Sequence, residues 1–256
     1  MKTRINASRV FLLTFCLLMM SSLKAAAVTK YGFWVGGVEV TSDNYTNITS
    51  NAITSGTVKY VPSTKTLTLT NCTITRTGNN ERAIENNSCE GLIVKFVGTN
   101  NLSSEKASAV RFEKNGTLVV VSGTTTLSSL NYEGIYLNNA GLCIQGPGNL
   151  IVKSTNDCAI EGNLDNGTIK SSVRFCDGIG ATIEGKKGDL VDVDPSFGRG
   201  NQGSNIEVRL KATGNSSNPN YSNNLYLSDT ITDESEYYYS FLDKGGIQLL
   251  LSLLMK

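Results

Sequence analysis

Four residues carry the side chains that could do chemistry together: Glu85, Arg111, Tyr136 and Glu161. Each follows an apolar pair in a short run, Ala83-Ile84, Ala109-Val110, Gly134-Ile135 and Ala159-Ile160, with steps of 26, 25 and 25 residues. If Ile84, Val110, Ile135 and Ile160 point inward in extended chain, their next neighbours point outward. Parallel stacking of such runs would line the four outward side chains along one axis. Two readings stay open. The row is either a solvated face with a Glu85–Arg111 surface pair worth little, or an aromatic platform with charged neighbours, suited to stacking a sugar ring and bonding its hydroxyls.

Other chemistry is thin. Histidine is absent from the chain, which removes the usual general base near neutral pH and the commonest zinc ligand. Asp189, Asp192 and Asp194 place three carboxylates close together, as calcium-binding loops do; the alternative is a set of solvated turn acids. Asp157 and Asp165 flank an Asn-Gly turn in a second acidic stretch. No cofactor is expected apart from calcium at such a loop. Lys+Arg 23 against Asp+Glu 22 leaves a net charge of +1, and a phosphate-tracking surface needs a basic excess. A nucleic-acid partner is therefore not expected.

The elements that would position the row come from a repeat. Gly91-Leu-Ile-Val-Lys-Phe-Val-Gly98, Gly116-Thr-Leu-Val-Val-Val-Ser-Gly123 and Gly141-Leu-Cys-Ile-Gln-Gly-Pro-Gly148 superimpose, and the first glycine recurs at 91, 116, 141 and 167. Two independent columns at one period of about 25 residues over four coils point to a solenoid. Each coil would carry two or three short strands with alternating apolar positions, such as Leu92, Val94 and Phe96. The spacing predicts an all-β, right-handed, single-stranded parallel β-helix, with room for roughly six coils between Gly56 and Asn215 and glycines at equivalent corners. An antiparallel sandwich would place turns every ~8–12 residues and has no reason to hold this period.

The ends differ from the body. Lys2, Arg4 and Arg9, the apolar run Val10–Met20 and Ala25-Ala26-Ala27 read as an export signal over residues 1–27. The run is too short to span a bilayer, and Cys16 sits mid-run rather than at its end, which argues against lipidation. Residues 28–62 read as an N-terminal cap with a hairpin, Tyr31–Val35 and Val38–Thr41 about Gly36-Gly37. Thr57–Val61 and Thr66–Thr70 read as a second hairpin, across Pro62–Lys65. Residues 63–215 would be the β-helix and 216–256 a Tyr-rich tail or cap, ending in Leu249–Met255, again too short for a membrane span. Beyond the signal lie Cys72, Cys89, Cys143, Cys158 and Cys176. Cys72–Cys89 and Cys143–Cys158 would close short loops, or the thiols are small apolar core residues.

The stretch Tyr31–Thr41, with Gly56-Thr-Val-Lys-Tyr60 and Thr66–Ile74, resembles the opening of exported bacterial β-helix proteins described as carbohydrate-binding-domain-containing. The coil form Ala-Ile…Asn-Gly-Leu-x-Ile…Gly-x-Asn-x-Leu is similar too, so the resemblance covers roughly residues 31–185. It implies a β-helix, export, and non-catalytic binding of plant-type or acidic polysaccharide, in places through calcium; no ligand motif of the family can be matched residue by residue. Parallel β-helices also include pectin-degrading enzymes. Polygalacturonases use paired Asp with a Gly-His-Gly, and this chain has no histidine. Pectate lyases bind calcium through several strand Asp residues, and the repeated strands here carry hardly any. The chain is thus expected to be a secreted or cell-surface, non-catalytic carbohydrate-binding protein whose partner is a glycan. The competing expectation is a structural or adhesive surface protein that contacts proteins of host or neighbouring cells. Protein recovered from outside the cell should begin near Val28 by N-terminal mass analysis; an intact Met1 on it would contradict the export signal.

Overall fold

Runs of alternating apolar and polar residues, broken every few positions by Gly, Asn and Ser, build short strands that cannot bury an inner face alone. The computed structural model describes residues 27–165, 168–176, 178–185, 191–197, 206–212, 225–229 and 237–238. β1 (Lys30–Val35) and β2 (Val38–Thr41) form an antiparallel hairpin about Gly36-Gly37. β3 (Ile53–Val61) turns through Pro62–Thr64 and Lys65 (φ 49°) to pair antiparallel with β4 (Thr66–Asn79). Both hairpins are those read from the sequence. β5 (Ile84–Asn86) follows β4 and leads into the first full coil.

Three coils of three strands follow: β6 (Leu92–Val97), β7 (Asn100–Lys106) and β8 (Val110–Phe112); β9 (Gly116–Val120), β10 (Thr124–Ser129) and β11 (Ile135–Leu137); β12 (Gly141–Gln145), β13 (Asn149–Ser154) and β14 (Ile160–Gly162). A small antiparallel hairpin, β15 (Leu164–Asp165) and β16 (Thr168–Ile169), precedes a fourth, β17 (Ser172–Phe175), β18 (Gly180–Gly185) and β19 (Val191–Asp192). β20 (Asp194–Phe197) and β21 (Ile206–Ala212) stack on it. Corresponding strands of successive coils pair in parallel, which is the β-solenoid expected. The sequence has room for six coils; among the described residues four have three strands each, flanked by β4–β5 and β20–β21.

β4 serves two faces at once. Thr66–Thr70 pairs with β6, Thr73–Asn79 with β7, and Asn71 between them adopts φ 49°. Like sits over like inside. Leu67, Val94, Leu118, Ile144 and Phe175 form one stacked buried column, and Ile74, Leu102, Leu127, Val152 and Ile183 another. Burying each such side chain contributes roughly 1.5–3 kcal/mol.

Register corrects the column of Gly91, Gly116, Gly141 and Gly167. Gly116 pairs with Leu92 and with Leu142, so it is one position out of step with Gly91 and Gly141. It occupies an inward position, and a Cβ there would run into the Phe112 ring. The partner of Gly141 in the next coil is Ser172; Gly167 lies outside the described residues. The β15–β16 insertion lengthens that step to 31 residues, seen alike at Ile160–Val191 and Asn149–Gly180. The glycines that do share a corner are Gly98 and Gly123, where Gly123 (φ 70°) rests on the Gly98 carbonyl. The expected loop-closing cysteine pairs are not formed either. Cys89 lies by the Tyr60 hydroxyl, Cys158 by Glu161, and Cys143 by Cys176.

Both ends of the stack are covered by antiparallel strands. β1 adds to β5 and β3 to β4 at one end; β22 (Leu225–Asp229) pairs with β21 and β23 (Tyr237–Tyr238) with β20 at the other. These strands pair the outer edges of β4, β5, β20 and β21, while β19 ends its sheet among the described residues. Residues 1–26 and Leu249–Met255 lie outside the described residues. Among the described residues no helix is long and apolar enough to cross a membrane.

Two glycines with similar backbone separate strain from crowding. Gly91 has φ 73° with nothing within 4 Å of an added Cβ, whereas at Gly123 the Gly98 carbonyl oxygen would lie 2.5 Å away. Gly91→Ala should cost about 1–2 kcal/mol for the left-handed backbone, and Gly123→Ala roughly 2–5 kcal/mol because overpacking adds to it. Urea denaturation of the two variants checks the ordering; equal losses would mean that the Gly123 corner is not stacked on Gly98.

Candidate functional site

The third sheet is the narrowest, and its strands have only three residues in each of the first three full coils, with the middle one facing out. Its order is β2-β1-β5-β8-β11-β14-β19. Ile84, Val110, Ile135 and Ile160 are in register and fully buried. Glu85, Arg111, Tyr136 and Glu161 are therefore cross-strand neighbours in one partly exposed row, at the positions the repeat predicts.

The row is longer than the repeat alone shows. In the capping hairpin Trp34 pairs with Glu85 on one side and Glu39 on the other, while Phe33 and Val35 are buried. The chain's single tryptophan thus joins the outer row. It precedes the repeat and runs antiparallel to it, so period arithmetic could not find it. At the far end the backbone of Asp192 pairs with that of Glu161. Asp194, its companion in the expected calcium loop, begins β20 in a different sheet, across the buried Val193; Asp189 lies outside the described residues.

Two flanking columns widen the row. On one side stand Asn87, Glu113, Asn138 and Asn163, each two residues beyond a row member and each anchored by a backbone N–H to the preceding coil or cap: Asn87 to Gly32, Glu113 to Asn86, Asn138 to Phe112, Asn163 to Leu137. The Asn163 side-chain amide donates to Asn138 at 3.1 Å. The other column, Arg82, Ser108, Glu133 and Cys158, emerges from the corner before the sheet. That corner is set by a serine ladder. Ser104, Ser129 and Ser154 donate to the carbonyls of Glu81, Ala107 and Tyr132 at 2.6–2.8 Å, and the last two accept from the N–H of Tyr132 and Asp157. The signal for both columns, Asn at 87, 138 and 163 and Ser at 104, 129 and 154, was legible as a period in the sequence.

Charge divides the row into two parts. Toward the cap, Arg111 bonds Glu85 at 3.3 Å and Glu113 closer still; Arg82 reaches Glu85 at 3.4 Å and Ser108 at 3.2 Å. These side chains are mostly covered, so Glu85 and Arg111 belong to a semi-buried network and not to a solvated surface pair. The Arg111 Nε is buried without a partner. Beyond Tyr136 the surroundings are acidic. Glu133, only 6% exposed, lies in hydrogen-bonding reach of Glu161. The Cys158 thiol donates to Glu161 at 3.2 Å, and the Cys158 N–H donates to Asp157 at 2.8 Å. Burial pushes the Glu133 carboxyl up to about 7, with Glu161 and Asp157 adding to the shift. Burial, then Glu161, raises the Tyr136 phenol and, more strongly, the Cys158 thiol.

In chemical terms Glu133 and Glu161 form a close carboxyl pair in which burial raises the proton affinity of Glu133. They are closer than the ~5–9.5 Å that separates the two carboxyl groups of glycosidases. Asp157, Cys158 and Glu161 bring their ligand atoms within 4.8 Å of one another and are the residues that could take a cation. No family, no curated protein and no solved structure matches this chain.

The Glu133 environment gives a pH dependence. Between about pH 4.5 and 7 the folded chain keeps a proton on Glu133 that the unfolded chain has lost, so this group's contribution falls as pH rises through that window. Arg82 on the preceding coils is the cation facing it, with Glu161 and Asp157 opposing. Glu133→Gln should match wild type near pH 4.5 and be more stable at pH 8, by on the order of 3 kcal/mol. Equal differences at both pH values by urea denaturation would mean that Glu133 ionises as a solvated carboxyl does.

Proposed function

We propose that the protein is an exported, non-catalytic carbohydrate-binding β-solenoid, and that the outer row from Trp34 to Glu161 is its glycan platform. The observation that carries this reading is the placement of Trp34 and Tyr136 on one outer face, three strand intervals apart. That is roughly 14 Å at the spacing of sheet strands, the reach of a short oligosaccharide. Rings on a rigid sheet lose little entropy on binding, so weak stacking is not offset by ordering costs. The amides of Asn138 and Asn163 run beside Tyr136 and suit sugar hydroxyls, being both donors and acceptors.

The charge pattern narrows the ligand. Arg82 and Arg111 already bond Glu85, Glu113 and Ser108, while Glu161, Asp157 and Glu133 crowd the far side of Tyr136. A polyanion would meet like charge there, so the platform fits a neutral glycan better than the acidic polysaccharides that the family resemblance implies.

A glycan array run with and without calcium tests the reading. Selective retention of neutral oligosaccharides is expected, insensitive to moderate salt. Tyr136→Ala and Trp34→Ala should each weaken that binding severalfold, by isothermal titration, with the unfolding midpoint nearly unchanged for the partly exposed Tyr136. Silence across plant, host and bacterial glycans would favour a surface protein that contacts other proteins instead.

A further inference from the structure

Coil stacking brings two cysteines together that are far apart in sequence. Cys143 is an outward residue of β12, and Cys176 follows the end of β17 in the next coil. Their sulfurs are 3.3 Å apart. A bonded pair has an S–S distance of about 2.03–2.05 Å, so the gap left to close is little more than an ångström. The Cys176 N–H donates to the Ile144 carbonyl at 2.8 Å, which holds this backbone against β12. Cys143 is partly exposed and Cys176 is 6% exposed, so one sulfur is open to a reagent and the other sits behind it.

We infer that Cys143 and Cys176 are a cross-linking site, joined in the mature protein by a disulfide between consecutive coils. The step balances as thiol–disulfide exchange with a small disulfide oxidant. The Cys143 thiolate attacks a sulfur of the oxidant and releases one thiolate from it, forming a mixed disulfide. The Cys176 thiolate then displaces the second. The two cysteine sulfurs give up two electrons and two protons, and the oxidant leaves as two thiols.

The position has a structural reason. The 25-residue period holds through β14 and fails at β17, where the β15–β16 insertion stretches the step to 31 residues. A cross-link there ties the first coil after the irregularity to the regular stack. The other three cysteines have different surroundings. Cys72 is wholly buried with its thiol pushed up to about 11 by desolvation, Cys89 faces Tyr60, and Cys158 faces Glu161. Low thiolate content makes each a poor nucleophile.

The test needs neither export nor glycan binding, so its outcome is separate from the function proposed above. The full chain is equilibrated with oxidised glutathione, alkylated under denaturing conditions, digested with trypsin and mapped by mass. Cys143 and Cys176 lie on different tryptic peptides, each apart from Cys158. One linked pair, Cys143–Cys176, is expected, with Cys72, Cys89 and Cys158 alkylated. A thiol reductant should lower the thermal midpoint of the oxidised wild type by several degrees and leave Cys143→Ser and Cys176→Ser unmoved. Alkylation of both residues, a lasting glutathione adduct on Cys143, or linkage of either to another cysteine would overturn the inference.

Discussion

Everything in this molecule depends on the parallel backbone ladder between one coil and the next. The ladder holds successive coils at the strand spacing of about 4.8 Å, so whatever side chain stands at a position stands directly over its counterpart. A column of Leu67, Val94, Leu118, Ile144 and Phe175 is then a continuous core rather than five separate side chains. The same ladder acts outside the core: it converts a scattered Glu, Arg, Tyr and Glu into neighbours. Interior and surface obey one geometric rule, which is why a change at a corner such as Gly123 is felt by the coil above and below.

A ladder of this kind has two ends, and each carries unsatisfied backbone groups. Antiparallel strands take up those groups on β4, β5, β20 and β21, and at the N-terminal end the capping hairpin does more. By pairing β1 with β5 it adds Trp34 to the outer row. Closure of the stack and extension of the candidate site are the same set of hydrogen bonds. The inserted hairpin before β17 shows the tolerance of the design, since residues can be looped out between coils as long as the strands beyond return to register.

The outer row couples to the corners that flank it. Serines 104, 129 and 154 bond back across each corner, fixing where Ser108, Glu133 and Cys158 emerge. Glu133 is thereby buried beside Glu161, and the rise in its proton affinity follows from that placement. Toward the cap the arginines are held by Glu85 and Glu113. The face thus presents aromatic and amide groups between a neutralised region and an acidic one, and this contrast selects among ligands more sharply than any single residue.

The sequence by itself determined the solenoid, both N-terminal hairpins and the register of Ile84, Val110, Ile135 and Ile160, because a fixed period combined with period-2 alternation leaves only one way to bury the apolar residues. From that register the outward row of Glu85, Arg111, Tyr136 and Glu161 followed directly. The Gly91, Gly116, Gly141 and Gly167 column misled, because glycine can serve a corner or an inward gap, and only the packing of Phe112 shows that Gly116 is the latter. Trp34 was out of reach because its strand pairs antiparallel and outside the repeat. The approach of Cys143 to Cys176, and of Glu133 to Glu161, depends on side-chain directions at corners and on an insertion of irregular length. Periodicity describes which residues share a column; only the tertiary structure decides which neighbouring columns touch.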